Sequence, residues 1–149
     1  MRFLLTRYWP GWGPIFLRLA LGTVFMAHGW AKLSGPLATA EGFNIEGWGW
    51  PYPAFWAGLI ALVETLGGLM IITGLFTRIA AFLLACVMVM AIIKLRVQRG
   101  FVGEFEFEFT LLMVALSLMT MGGGRLSVDR DVLGLGMVTR GRAIAEGDE

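Results

Sequence analysis

The chain alternates long apolar stretches with short polar ones, and four of the apolar stretches are long enough to form membrane-spanning helices. A helix needs about 20 mostly apolar residues to cross the hydrocarbon core of a bilayer. Prolines fall in the first turns of the first two stretches, where a missing N–H costs nothing, and "GGG" at 122–124 ends the fourth. We predict the helices at about Pro14–Leu33, Pro53–Phe76, Ile79–Val97 and Phe105–Gly122. The fold class predicted is an all-α integral membrane protein, an antiparallel bundle of four transmembrane helices.

Composition agrees with a membrane protein and excludes several other classes. Apolar residues make up 57% of the 149 residues and charged residues 15%, whereas about a quarter of an ordinary soluble domain is charged. A net charge of +1 leaves no basic surface for nucleic acid. The single cysteine, Cys86, excludes an intramolecular disulfide and a Cys-x-x-Cys redox pair. With one histidine and no cysteine near it, we predict no metal site.

The distribution of lysine and arginine predicts the orientation. Seven of these residues lie on the side of the termini and of the link between helices two and three, and four lie at or near the opposite side. Cytoplasmic segments carry the excess of positive charge. We therefore predict a multi-pass protein of the cytoplasmic (inner) membrane with both termini in the cytoplasm. Residues 1–125 would form the four-helix domain and residues 126–149 a short cytoplasmic tail. A cleaved signal is the alternative for the first helix, but Arg18, His28 and Lys32 interrupt its apolar run.

Glu64 lies in the middle of the second apolar stretch, "AGLIALVETLGGLMIITGLF". Ala57, Ala61 and Gly68 lie within about 60° of Glu64 on a helical projection, and such small residues mark the face where helices approach closely. A charge at the bilayer centre costs on the order of 3 kcal/mol, so we expect Glu64 to face the bundle and to be paired. We expect it in a network with Arg18 and His28, with Lys32 further out along the first helix.

Helix four begins with three acids that face two ways. Glu104 and Glu108 lie about 40° apart in projection, and Glu106 lies on the opposite face. Cations at the outer end of helix three, Lys94, Arg96 and Arg99, could pair with any of these acids. Since most buried charges lie in the outer half, we expect a cavity that opens outward. Its predicted walls carry His28, Lys32, Glu64 and Glu108.

Four segments in order resemble the DoxX family of small four-helix membrane proteins, which includes DoxD-like relatives. They are "LRLALGTVFMAHGWAKLSGP", "ALVETLGGLMIITGLFTRIAA", "FEFTLL" and "GGGRLSVD". The Arg…His-Gly…Lys pattern followed by Glu-x-x-Gly-Gly makes the resemblance specific, and it covers roughly residues 15–130. The sequence departs from the family in Glu104 and Glu106 beside Glu108, and in Phe107 where we expect tyrosine or another residue. The family's polar positions fall on Arg18, His28, Lys32, Glu64 and Glu108.

The resemblance implies a redox-linked membrane subunit, because relatives include the membrane subunit of a thiosulfate:quinone oxidoreductase. It implies a quinone or a small sulfur compound as ligand, and other membrane or peripheral subunits or further copies of the chain as partners, within the lipid bilayer. The alternatives are a structural accessory subunit of a larger membrane complex and a small proton-coupled carrier. On this basis we predict catalytic roles for Glu64 and His28. The ligand-binding set predicted with them is Arg18, Lys32, Glu108, Glu106 and Arg96.

Overall fold

The computed structural model describes residues 12–34, 51–93 and 100–131, and within these ranges the chain is helical with no strand. A short kinked turn, Phe101–Phe105, leads into the fourth long helix, with non-helical backbone at Val102 and Gly103. The helices are α1 (Gly13–Ser34), α2 (Pro53–Thr73), α3 (Thr77–Ala91), α4 (Glu106–Met121) and a single turn, α5 (Val128–Asp131). The four long helices correspond to the four predicted apolar stretches.

The helix boundaries differ from the predicted ones by a few residues, for local reasons. Helix α2 ends three residues early, at Thr73, because Gly74 takes a left-handed conformation with φ of 72° and its N–H donates to the carbonyl of Ile71. Helix α4 ends at Met121 before the predicted glycine run, where Gly122 has φ of 76°. The last predicted residues of helix three, 94–97, lie outside the described ranges.

A seam of glycines brings α1 and α2 into backbone contact. A Cβ on Gly22 would lie 2.8 Å from the carbonyl oxygen of Gly68, and one on Gly68 would lie 2.6 Å from the amide nitrogen of Met26. A Cβ on Gly29 would be just as close to the backbone of Thr65 and of Ala61. Residues later in α1 thus meet residues earlier in α2, so the two helices run antiparallel. The small-residue face predicted around Glu64 is the face that α1 covers.

The second helix pair, α3 and α4, packs through alanine and leucine side chains. Ala81, Leu84, Ala115 and Leu118 have no exposed surface. These residues join Leu21 and Phe25 of α1 and Ile71 of α2 in one continuous core. The core therefore lies along the centre of the four long helices, where all of them contribute.

The outer surface of the helices is apolar. Large side chains such as Phe16, Leu62, Leu69 and Ile79 are about half exposed or more. By length and composition one helix in the described ranges, Ala54–Thr73, could cross a membrane, with a mean hydropathy of 1.9, and α3 is a shorter apolar helix. Helix α1 is not counted among the helices that could cross a membrane by this measure, because charged residues lie inside it. Helix α4 is not counted either, because it has 16 residues and begins with acids.

Candidate functional site

An ion pair between a partly buried lysine and a buried glutamate joins α1 to α2. The ammonium nitrogen of Lys32 lies 2.7 Å and 2.5 Å from the two carboxylate oxygens of Glu64. The Glu64 side chain is 4% exposed and the Lys32 side chain 21%. Glu64 is therefore paired, as predicted, but its partner is the cation expected to lie further out.

The register of the glycine seam determines this pairing. Gly29 of α1 lies against Thr65 of α2, so Glu64 lies opposite the last turns of α1. Lys32 occupies the last turn of α1. A helical side chain leans toward the N-terminus of its helix, so the long lysine stem points back toward the level of Glu64. Short glycine contacts hold the two backbones close, and the ammonium needs to cross only this short gap.

The ion pair forms part of the wall of a cavity of about 210 Å³ between the four long helices. Most of its lining is apolar, from residues such as Phe25, Met88 and Leu111. Pockets for drug-sized ligands have volumes of about 300–1,000 Å³. This cavity therefore suits a small ring or a small polar group rather than a large ligand.

Four polar side chains reach the cavity, and they are the four predicted for its walls. His28 and Lys32 come from α1, Glu64 from α2 and Glu108 from α4. Glu108 is partly buried and its neighbour Glu106 is exposed and does not line the cavity. The structure thus shows which of these two acids faces the interior. The side chain of Glu104 lies outside the description.

The polar groups of the cavity combine donors and acceptors within an apolar surround. Lys32 and Glu64 compensate each other's charge at hydrogen-bonding distance. His28 and Glu108 add an imidazole and a carboxyl group to the same lining. A site of this kind can hydrogen-bond an uncharged polar group, and its carboxylates and imidazole can exchange protons with it.

Arg18 does not take part in this site, and the predicted Arg18–Glu64 network is wrong. The Arg18 guanidinium donates to the carbonyls of Ile71 (2.9 Å) and Ile72 (2.7 Å) at the end of α2. It also donates to the carbonyls of Gly123 and Leu126, both at 3.0 Å. The last carbonyls of a helix lack partners within the helix and attract cations. Arg18 is 4% exposed, and these carbonyl oxygens stabilise its buried charge.

Asp129 is a structural residue that the sequence patterns did not single out. Its carboxylate accepts hydrogen bonds from the backbone N–H groups of Phe76 (2.6 Å) and Thr77 (2.8 Å) at the start of α3. Its own N–H donates to the carbonyl of Gly74 at 3.0 Å. Capping acids usually come from the helix's own sequence, whereas this one comes from 52 residues further along. The only signal in the sequence was the "GGGRLSVD" segment that carries it.

The remaining predicted site residues fall outside the cavity or outside the description. Arg96 lies in the range 94–99, which the structure does not describe. Glu106 belongs to the first turn of α4, where its charge suits the helix N-terminus. In the described ranges no group of three potential metal-ligating residues comes together. The predicted tail, residues 126–149, is described only to residue 131. Its first residues are bound to the helices, because Arg18 donates to the carbonyl of Leu126 and Asp129 accepts from the N–H of Phe76.

Comparison with known proteins identifies two relatives and the family of this chain. The chain is 34% identical over 117 residues to "Putative oxidoreductase CatD" of Bacillus subtilis (strain 168), covering 78% of this chain and 84% of that protein. It is 35% identical over 129 residues to "Uncharacterized membrane protein Rv3486" of Mycobacterium tuberculosis (strain ATCC 25618 / H37Rv), covering 78% of each. No solved structure matches significantly. A sequence model of the DoxX family matches residues 13–97, which span α1, α2 and α3 with Arg18, His28, Lys32 and Glu64. The chain is a membrane protein that belongs to the DoxX family.

Proposed function

We propose that this protein is the membrane subunit of a redox system and that its cavity binds the head group of a quinone or a small sulfur compound. The Lys32–Glu64 ion pair in the wall of the cavity carries the proposal. Charged groups within the apolar part of a membrane protein are costly, and they commonly mark the path of a substrate or a proton. A volume of about 210 Å³ limits the ligand to a small group.

The chemistry of the lining suits a quinone head group, which takes up electrons and protons together. Lys32 and His28 can donate hydrogen bonds to carbonyl oxygens of a ligand, and Glu64 or Glu108 can transfer a proton to it. The sequence carries a single cysteine and therefore no cysteine pair to supply electrons. We therefore place the electron donor in a partner chain. The relative named as an oxidoreductase supports a redox role.

The proposal includes a topology of four antiparallel spans with both termini in the cytoplasm. Helix α1 has 22 residues and is about 33 Å long, close to the roughly 30 Å of a hydrocarbon core. The seven-to-four distribution of lysine and arginine supports this orientation. Reporter fusions after residue 149 test it: we expect activity of a cytoplasmic reporter, and activity of an external reporter would reject the orientation.

A structural accessory subunit is the second candidate, and Arg18 favours it. This buried cation is bound by backbone carbonyls and has a purely structural environment. If the Lys32–Glu64 pair served the same purpose, the charges would determine helix register only. Ligand binding separates the two candidates, because only the first requires that the cavity binds a ligand.

Ligand binding to the purified protein in intact lipid tests the proposal. Native mass spectrometry should detect a copurified quinone or sulfur compound together with partner chains. Short-chain quinone and thiosulfate should then be compared as additives, since a ligand that binds only the folded state raises its thermal stability. Glu108→Gln should reduce the stabilisation by the bound ligand, and Glu106→Gln is the matched control outside the cavity. If neither compound stabilises the wild-type protein and none copurifies, the accessory role replaces the redox role.

A further inference from the structure

Three exposed arginines lie at one end of the bundle, where α2 and α4 end and α3 begins. Arg78 belongs to the first turn of α3, Arg125 follows the end of α4, and Arg130 belongs to the short α5. The cavity is lined from the second half of α1 and the first turns of α4, so it lies toward the opposite end. We call the end with the three arginines the basic end, and it has no part in the ligand site proposed above.

Two of these arginines flank the end of α4. A terminal nitrogen of Arg78 donates to the carbonyl of Thr120 at 3.3 Å, and a Cβ on Gly122 would lie 3.4 Å from its Nε. The guanidinium carbon of Arg125 lies 5.5 Å from the centre of the ring of Trp12, directly before α1. Arg78 thus approaches the end of α4 from the side of α3, and Arg125 lies toward α1.

No carboxylate among the described residues forms an ion pair with these arginines. The ion pair in the described ranges joins Lys32 to Glu64, at the cavity. The carboxylate of Asp129 accepts from the backbone N–H groups of Phe76 and Thr77, so its two oxygens are used by the start of α3. The positive charge of the basic end therefore reaches the surface without a counter-charge from the described part of the chain.

Large apolar side chains are exposed beside the same arginines. Leu126 is 67% exposed, Met121 56% and Phe76 45%. Leu126 directly follows Arg125, and Phe76 precedes Arg78 by two residues. If the four helices span the bilayer as proposed, these helix ends lie where acyl chains meet head groups. Cations beside apolar side chains at this level suit an anionic phospholipid better than a free anion, which has no apolar part to bury.

We propose that the basic end binds an anionic phospholipid, with its phosphate between Arg78 and Arg125 and its acyl chains against Met121 and Leu126. A guanidinium group can donate two parallel, charge-assisted hydrogen bonds to phosphate oxygens. The site is independent of the ligand in the cavity, so this proposal and the proposed function succeed or fail separately.

Native mass spectrometry of the full chain in detergent tests the site. The protein is titrated with phosphatidylglycerol and with phosphatidylcholine of the same acyl chains, and each variant is compared with wild type for the same lipid so that partitioning into detergent cancels. The variants are Arg78→Gln and Arg125→Gln. The control is Arg130→Gln, which removes the same charge from an exposed arginine at the same end. Inorganic phosphate in excess is added as a competitor, to distinguish a lipid site from a site for a free anion.

Wild type should bind phosphatidylglycerol about tenfold or more tightly than phosphatidylcholine, whose choline cation offsets the charge of its phosphate. Arg78→Gln and Arg125→Gln should each lose about fivefold in affinity for phosphatidylglycerol, the effect of one cation near an anionic lipid surface. Arg130→Gln should change the affinity less than about twofold, and phosphate should not displace the lipid. Without added lipid the three variants should melt as wild type does, because exposed side chains contribute little to stability.

Equal affinity of wild type for the two lipids would overturn the proposal. An equal loss for Arg130→Gln would also overturn it, because the lipid would then respond to diffuse positive charge rather than to a site between two arginines. Displacement by inorganic phosphate would show a site for a free anion instead. These outcomes leave the binding of a ligand in the cavity unaffected.

Discussion

Two cations on α1, fourteen residues apart, have different surroundings. Arg18 is bound by carbonyl oxygens of α2 and of the turn at 123–126, and it is not among the residues that line the cavity. Lys32 is bound by the carboxylate of Glu64 at the edge of a cavity. Arg18 is 4% exposed and the Lys32 side chain 21%, so each charge lies largely inside an apolar helix bundle.

What differs is the space around each charge. The guanidinium of Arg18 fills its site: a Cβ on Gly74 would lie 2.7 Å from one of its terminal nitrogens. The ion pair instead lies beside a cavity of about 210 Å³, and two further polar side chains, His28 and Glu108, line the same cavity. A buried charge that satisfies backbone carbonyls stabilises a fold, whereas one that faces an open, mostly apolar volume is a candidate for ligand chemistry.

Arg18→Met should have the largest effect, and the effect should be on folding. Without the guanidinium the carbonyls of Ile71, Ile72 and Gly123 lose a donor, and each buried carbonyl left unpaired costs about 1–3 kcal/mol. We expect a loss of about 3–5 kcal/mol in the free energy of unfolding. Thermal unfolding of the purified protein measures it. Arg78→Met is the control, because this arginine is exposed and, among the described residues, donates one side-chain hydrogen bond, of 3.3 Å, to the carbonyl of Thr120. Equal stability of the two variants would show that Arg18 has no structural role.

Gly68→Ala should have the next largest effect, because it separates the two helices that carry the ion pair. The added Cβ would lie 2.6 Å from the amide nitrogen of Met26, and backbone cannot move aside as a side chain can. We expect a loss of about 2–3 kcal/mol, as for other overpacked positions. Gly58→Ala on the same helix has nothing within 4 Å of its Cβ and should be neutral or slightly stabilising. An unchanged melting temperature for Gly68→Ala would contradict the close seam.

Glu64→Gln should destabilise the protein by a smaller amount, about 1–2 kcal/mol. It leaves Lys32 without its counter-charge, but the 21% exposed lysine can turn toward the outer end of α1. Adding Lys32→Met should restore part of the stability, since the uncompensated charge is removed. Adding Arg18→Met to Glu64→Gln, in place of Lys32→Met, should not restore stability. The double-mutant cycle measures the coupling energy directly. Coupling of Glu64 to Arg18 rather than to Lys32 would contradict the different roles assigned to the two cations.

Cys86→Ala should have the smallest effect on either region. Cys86 is exposed on α3 and does not line the cavity, so we expect a change in stability within about 0.5 kcal/mol. Quinone binding should also be unchanged. Normal folding with loss of binding or turnover would show that a thiol takes part and that the cavity is not the whole site.

The sequence predicted the helices and one face of the site because those features depend on short periodicities. Ala61 and Gly68 indicated the face of α2 that α1 covers, and the opposite directions of Glu106 and Glu108 followed from the turn of a helix. The grouping of His28, Lys32 and Glu64 around one cavity followed from the shared face of helix one and the depth of each residue, and the resemblance to the DoxX family added Glu108. These quantities are local and need no knowledge of register.

The partner of Glu64 could not be predicted because it depends on register between helices. Counting along α1 places Arg18 and Lys32 on opposite sides of the centre, but only the contact of Gly29 with Thr65 shows which one Glu64 faces. The carbonyl acceptors of Arg18 and the capping of α3 by Asp129 depend on contacts over 50 or more residues. No periodicity within a helix carries such information.

The affinity of the Lys32→Met, Glu64→Gln double variant for a short-chain quinone tests the central claim most directly. The variant keeps the volume of both side chains and removes only the ion pair, so its stability should lie near that of wild type. We predict that its affinity for the quinone falls about tenfold or more, since each lost hydrogen bond from a charged donor is worth about 1.5–3 kcal/mol. A folded double variant that binds the quinone as tightly as wild type would show that the Lys32–Glu64 pair is structural, as Arg18 is, and would contradict the account.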